Sequence, residues 1–181
     1  MRIVLSGPKA SGKSTLAAQV AIRLGWPFRE TDTLVEDAFA ERTGRRASFR
    51  EIWSELGESE FRVMERRAAE DLLAVDPCVV GTGGSTLLRP ETRDLLRQNA
   101  FLVLVSAPPR VLWERVRANG LPAYLVDEPD PETAFARRVA TMRAAVAPFA
   151  DFTVDSATLS QRECADAILA AARRAGVVTP S

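Results

Sequence analysis

An apolar run, Ile3-Val-Leu5, passes directly into Gly7-Pro-Lys-Ala-Ser-Gly-Lys-Ser-Thr15, after which Leu16, Val20, Ile22 and Leu24 recur at helical spacing. The middle stretch fits G-x-x-x-x-G-K-[ST], and its place between a strand and a helix start is the one a phosphate-binding loop requires. Glycines let successive backbone N–H groups curl around an anion, and the helix start adds unpaired donors and the positive end of its dipole. The candidate nucleotide-binding residues are therefore Gly7, Lys9, Ala10, Ser11, Gly12, Lys13, Ser14 and Thr15. Lys13, a compact charge on a flexible stem, suits the β- and γ-phosphates, and the Ser14 hydroxyl suits Mg2+. Lys9 and Lys13 are the only lysines of the chain; every other side-chain cation is an arginine.

The 181 residues suit one α/β domain, placed at 1–176 with a short tail at 177–181. No apolar run approaches the ~20 residues that cross a bilayer, and Met1-Arg2 leads straight into the first strand, so neither a membrane span nor a signal peptide is expected. Acidic and basic residues balance at 24 each, which argues against general nucleic-acid binding but leaves room for a local basic pocket. Cys78 and Cys164 lack metal spacing and histidine is absent, so the expected setting is reduced and cytoplasmic. Cys78 reads as a small apolar residue beside a buried strand. What remains is a small-molecule partner and a monomer or small homo-oligomer.

Strand-like and helix-like segments alternate along the chain, predicting a parallel sheet with helices on both faces. Strands are expected near 2–6, 27–30, 79–80, 101–105 and 152–154. Helix two is expected to open on a capping box at Thr33-Leu-Val-Glu36 and to end before Gly44. Further boxes at Ser48-Phe-Arg-Glu51 and Ser160-Gln-Arg-Glu163 open later helices, and Gly57 should stop the first of these before a longer helix at 58–74. A second glycine turn, Gly81-Thr-Gly-Gly-Ser85, follows the third strand. The stretch 118–131 reads as a lid, and 32–62 as an acceptor-binding segment. Together these give a three-layer fold of five strands; pattern alone leaves their order open.

A phosphate loop serves motors, GTPases, transporters and kinases alike. The chain is short, has no Asn/Thr-Lys-x-Asp guanine-reading sequence and no apolar strand ending in Asp-Glu, which leaves a small phosphotransferase moving the ATP γ-phosphate. The sequence resembles the shikimate kinase family across most of its length. The resemblance is carried by Gly7 to Thr15, Glu30-Thr-Asp32, Glu41-Arg-Thr-Gly-Arg45, Phe49 to Ile52, Gly57-Glu58 with Glu60-Phe61-Arg62 and Glu65, and Thr82-Gly-Gly-Ser85.

That resemblance implies ATP as donor, Mg2+ as cofactor and a carboxylated alcohol, shikimate, as acceptor. It implies Glu30 with Ser14 at the metal, Asp32 and Lys13 as catalytic groups, and Arg62, Gly83 and Gly84 at the acceptor, with Arg117 stacked on adenine. Asp32, at a helix start, is expected to be held ionised by unpaired N–H groups; otherwise it merely caps helix two. Arg62 would grip the acceptor carboxylate, or else pair with Glu58 and Glu65 on a solvated face. Arg117 equally complements a helix end.

Three positions depart from the family pattern. Glu30 stands where the family has an aspartate, the lid stretch Asn119-Gly-Leu-Pro-Ala-Tyr-Leu125 has no arginine, and Val146 occupies the place of a second carboxylate-gripping arginine. Arg143, almost one turn earlier on a similar helix face, is the candidate substitute. A gluconate-kinase-like enzyme for a sugar acid, or a nucleotide-binding module with impaired catalysis, stays open as an alternative.

Overall fold

The computed structural model describes residues 1–178 of the 181. Strands β1 (Arg2–Ser6), β2 (Phe28–Glu30), β3 (Cys78–Gly81), β4 (Ala100–Ser106) and β5 (Phe152–Asp155) form one sheet in the order β2-β3-β1-β4-β5, all parallel. β1 and β3 are buried along their whole length, as central strands covered on both faces must be.

Helices α1 (Lys13–Leu24) and α8 (Gln161–Arg174) cover one face, packing Leu16, Val20, Ile168 and Leu169 against Ile3, Leu5 and Val103. The other face carries the end of α3 (Phe49–Leu73), α4 (Pro90–Leu96) and α7 (Pro131–Val146), where Leu72, Leu96, Met142 and Val146 meet Val4, Val80 and Leu102. This is the three-layer α/β architecture the alternation predicted. Helix α2 (Thr31–Thr43) packs on α3 through a separate cluster, Val35 and Phe39 against Ile52 and Phe61. Helices α5 (Pro109–Ala118) and α6 (Ala123–Val126) join α7 around Trp113, Leu125 and Phe135, so the 118–131 segment is anchored by a buried leucine.

Several local expectations hold. Both arms of the capping boxes at Ser48/Glu51 and Ser160/Glu163 are present. Gly57, at φ 71° and ψ 174°, kinks α3 where a stop was expected, and Gly44 ends α2 at φ 72°. Two expectations fail. Helix α2 starts at Thr31 rather than Thr33, with Glu30 at the cap position, so there is no capping box at Thr33. The Glu36 carboxylate instead accepts the Phe49 N–H at 2.8 Å, tying the start of α3 to α2. The tail expected from 177 starts later, because Val177 and Val178 pack with the cluster that α1 and α8 form on the sheet; 179–181 lie outside the described residues.

Register sets the site. Glu30 pairs with Gly81 and Gly81 with Leu5, so β2, β3 and β1 end level at the carboxyl rim where parallel sheets receive ligands.

Candidate active site

The loop leaving β1 is shaped by close approaches. A Cβ on Gly7 would run into the Val105 carbonyl oxygen and lie 2.8 Å from Ser11 Oγ, so only glycine fits. Gly12 holds the cap position of α1 at φ 84°, with no side-chain cap and no acidic residue in the first turn. The helix start is thereby left to an anion. Ser11 Oγ is buried without a protein partner, a further donor of the kind a bound phosphate satisfies. Ala10 takes φ 65°, unusual for a residue with a Cβ. Burial pushes the Lys13 ammonium below the ordinary lysine value, opposed by the charge of Asp32.

A cavity of about 450 Å3 opens against this loop. Lys9, Lys13, Arg115 of α5 and Arg50 of α3 line it, and no carboxylate among the described residues does; Leu121 and Pro122 of the 118–131 segment close one side. Arg115 is fixed by Ser156, donating to its carbonyl at 2.6 Å and its Oγ at 3.1 Å, and it reaches the Ala10 carbonyl at 3.4 Å. Arg117, the residue expected beside adenine, is exposed and absent from this lining. Two residues along a helix is a rotation of ~200°, so Arg115 and Arg117 face opposite ways, and the apolar face of α5 decides which turns inward.

On the other side of Lys13, Ser14 Oγ donates to Glu30 Oε1 at 2.5 Å. The β3 turn is stitched to its neighbours: Thr82 Oγ1 donates to Ser6 Oγ at 2.9 Å, and the Gly83 N–H donates to Thr31 Oγ1 at 2.8 Å. Asp32 Oδ1 is buried against Gly83 with no hydrogen-bond partner among the described residues. Burial first, then the charge of Glu30, pushes the Asp32 pKa up to about 6, with Lys13 pulling the other way. Helix N–H groups therefore do not hold the Asp32 carboxyl below its ordinary range; burial and the charge of Glu30 raise it instead.

Arg62 donates to Glu65 at 2.5 Å and to Glu58 at 3.4 Å, with its guanidinium 4.9 Å from the Trp53 ring centroid. It is therefore paired with both helical neighbours, and its side chain is half-buried rather than fully solvated. Glu65 is buried and its charge reaches Asp32, so Arg62 and Asp32 are neighbours of one carboxylate. Gly83 is compelled, because a Cβ would collide with Asp32; Gly84 is exposed with open space around it. Arg143 is exposed near the end of α7, and no hydrogen bond or ion pair among the described residues joins it to Asp32, Arg62 or Gly83. Val146 is fully buried in the core.

The family model for shikimate kinase matches residues 9–173. A shikimate kinase of Symbiobacterium thermophilum is 40% identical over 132 residues, 72% of each chain. The chain belongs to the shikimate kinase family. Another shikimate kinase, from Rhodopseudomonas palustris, is 34% identical over 169 residues, covering 93% of this chain and 79% of the relative. The crystal structure of shikimate kinase from Aquifex aeolicus superposes with a TM-score of 0.80 at 25% identity, covering 98% of this chain and 99% of that one. That of shikimate kinase from Acinetobacter baumannii in complex with shikimate gives 0.72 at 25% identity, over 93% and 90% of the two chains. The enzyme is an ATP-dependent small-molecule kinase.

In this shikimate kinase family member, sequence reasoning passed over Arg115, Arg50 and the role of Glu65. Arg50 had left a signal. It sits in the first turn of a helix opened by Ser48, where a cation opposes the helix dipole.

Proposed function

We propose that the protein transfers the γ-phosphate of ATP to a hydroxyl of shikimate, within aromatic amino acid biosynthesis. The observation that carries this reading is the cavity lined by four cations, one of which, Lys13, is close enough to the half-buried Asp32 for each charge to act on the other. Lys13 and the loop N–H groups hold the phosphates, and Arg115 orients the nucleotide. Ser14 and Glu30, already in contact, would hold Mg2+, which when bound offsets charge between the β- and γ-phosphates. Arg62 pairs with the acceptor carboxylate, exchanging Glu65 or Glu58 for it. Asp32 Oδ1, without a protein partner, takes the hydroxyl proton as the acceptor oxygen bonds to the γ-phosphorus. The bond from that phosphorus to the β,γ-bridging oxygen breaks, and ADP leaves with the electron pair.

The level ends of β1, β2 and β3 support this arrangement, since they set donor and acceptor groups on one rim. No helix among the described residues is long and apolar enough to cross a membrane, and both cysteines are buried and unpaired, in keeping with a cytoplasmic enzyme acting alone or as a small homo-oligomer. The test is ADP release with Mg2+, ATP and either shikimate or gluconate. Release stimulated by shikimate is expected. Stimulation by gluconate alone overturns the acceptor, and tight ATP binding without acceptor-dependent release overturns the enzyme reading in favour of a binding module.

A further inference from the structure

We propose that Arg50 supplies the positive charge that faces the transferring phosphoryl group from the side opposite the phosphate loop. The proposal rests on the nucleotide reading above and adds to it a residue from the acceptor-binding segment.

Four observations converge on Arg50. It lines the cavity together with Lys9, Lys13 and Arg115, yet it alone of the four comes from α3, whose other half carries Arg62. Its exposed guanidinium has no hydrogen bond or ion pair among the described residues, a condition it shares on α3 with Arg67, which does not line this cavity, whereas Arg62 and Arg66 of the same helix are each paired with a glutamate. The neighbouring Glu51 is committed to the Ser48 cap, and the Phe49 N–H is held by Glu36, so the turn that presents Arg50 is fixed from both sides. The lid, finally, contributes Leu121 and Pro122 to the cavity, and residues 118–136 contain no lysine or arginine.

A γ-phosphate seated between Lys13 and an acceptor at Asp32 needs its developing charge neutralised on the face that Lys13 does not reach. Lys9 and Lys13 belong to the loop, and Arg115 is held by Ser156 beside Ala10, at the nucleotide end. Arg50 is the cation left for the outer face. Burial pushes the Tyr124 phenol up, opposed first by Arg138, whose guanidinium lies 4.3 Å from the ring centroid, and then by the charge of Arg50, so Arg50 faces the 118–131 segment as well as the phosphate loop it lines the cavity with. A cation at this helix position runs against the dipole, a local cost consistent with a functional placement.

The test compares calorimetric titrations of wild type, Arg50→Ala and Arg50→Lys with Mg2+-ADP and with the Mg2+ complex of the non-hydrolysable β,γ-imido analogue of ATP. Arg50→Ala should weaken the analogue about tenfold, the scale of one charge-assisted hydrogen bond, and leave ADP within about twofold. Acceptor-dependent kcat should fall on the order of 10²-fold or more, with Arg50→Lys recovering part of the analogue affinity but less of kcat. Equal losses for ADP and analogue would make Arg50 a general attractor of nucleotide and overturn the proposal; so would no loss for either. Wild type binding both nucleotides with an unaffected variant removes Arg50 alone, whereas wild type binding neither removes the nucleotide reading and this proposal with it.

Discussion

Gly83 lies so close to Asp32 that a methyl group at position 83 would take the space of Asp32 Oδ1. The glycine is thus a mould for the carboxyl group, and Thr86 Oγ1, 2.9 Å from the same imagined methyl, closes the other side. Gly83→Ala is expected to displace Asp32 and lower kcat on the order of 10²-fold, since misplacing a reacting group by about 1 Å has that effect. Affinity for the ATP analogue should stay within about twofold. Gly84→Ala, in open space, is the control and should leave both unchanged.

Asp32 gives the enzyme its own pH dependence. Its folded pKa of about 6 lies above the ordinary aspartate value of 3.8, so the folded state binds the proton more tightly. The ionised form is therefore the strained one, and the group withdraws stability as pH rises from about 4 through 6. Asp32→Asn should stabilise the unliganded protein at pH 8 by roughly 1–3 kcal/mol, an advantage that disappears at pH 4, and it should abolish transfer. Thermal melts at the two pH values check the first part. The acidic limb of kcat/KM in wild type, which reports the free enzyme and should fall near pH 6, checks the second.

Arg115 and Arg117 make opposite predictions. Arg115→Ala removes a cavity cation together with its bonds to Ser156 and Ala10, so the KM for ATP should rise about tenfold. Arg117→Ala removes an exposed side chain and should change it by less than about twofold. Steady-state kinetics at saturating acceptor separate the two.

Ala10, at φ 65°, holds a conformation that costs a residue with a Cβ roughly 1–2 kcal/mol. Ala10→Gly should relieve most of that, offset by a more flexible unfolded chain and the loss of a methyl packed near Trp113, for a net gain of about 0.5 kcal/mol or a little more. Urea unfolding measures it.

The readable parts of this chain were the local ones. Gly7 to Thr15 announces its own conformation because Gly7 answers a contact within the loop and the strand beside it and Gly12 a positive φ, and Ser48 and Ser160 announce helix starts because their partners lie three residues away. The cap at Thr33 was misread for a non-local reason. Glu30 ends β2 and is drawn to Ser14, sixteen positions earlier, which lets α2 begin at Thr31. The titration of Asp32 was hidden likewise, since Gly83 of the β3 turn packs against its carboxyl and the charge of Glu30 adds to the effect of burial. The strand order and the choice of Arg115 over Arg117 depend on which surfaces meet across the sheet, information that no single segment contains.

The even termination of β1, β2 and β3 has a consequence for how such an enzyme can diversify. Backbone bonds from Thr82 to Leu5 and side-chain bonds to Ser6 and Thr31 lock the three ends into one jig, so slipping any strand would spoil nucleotide and acceptor handling at once. Change is channelled instead into the outer helices α2 and α3, where a new alcohol can be accommodated while the phosphate chemistry behind it stays untouched.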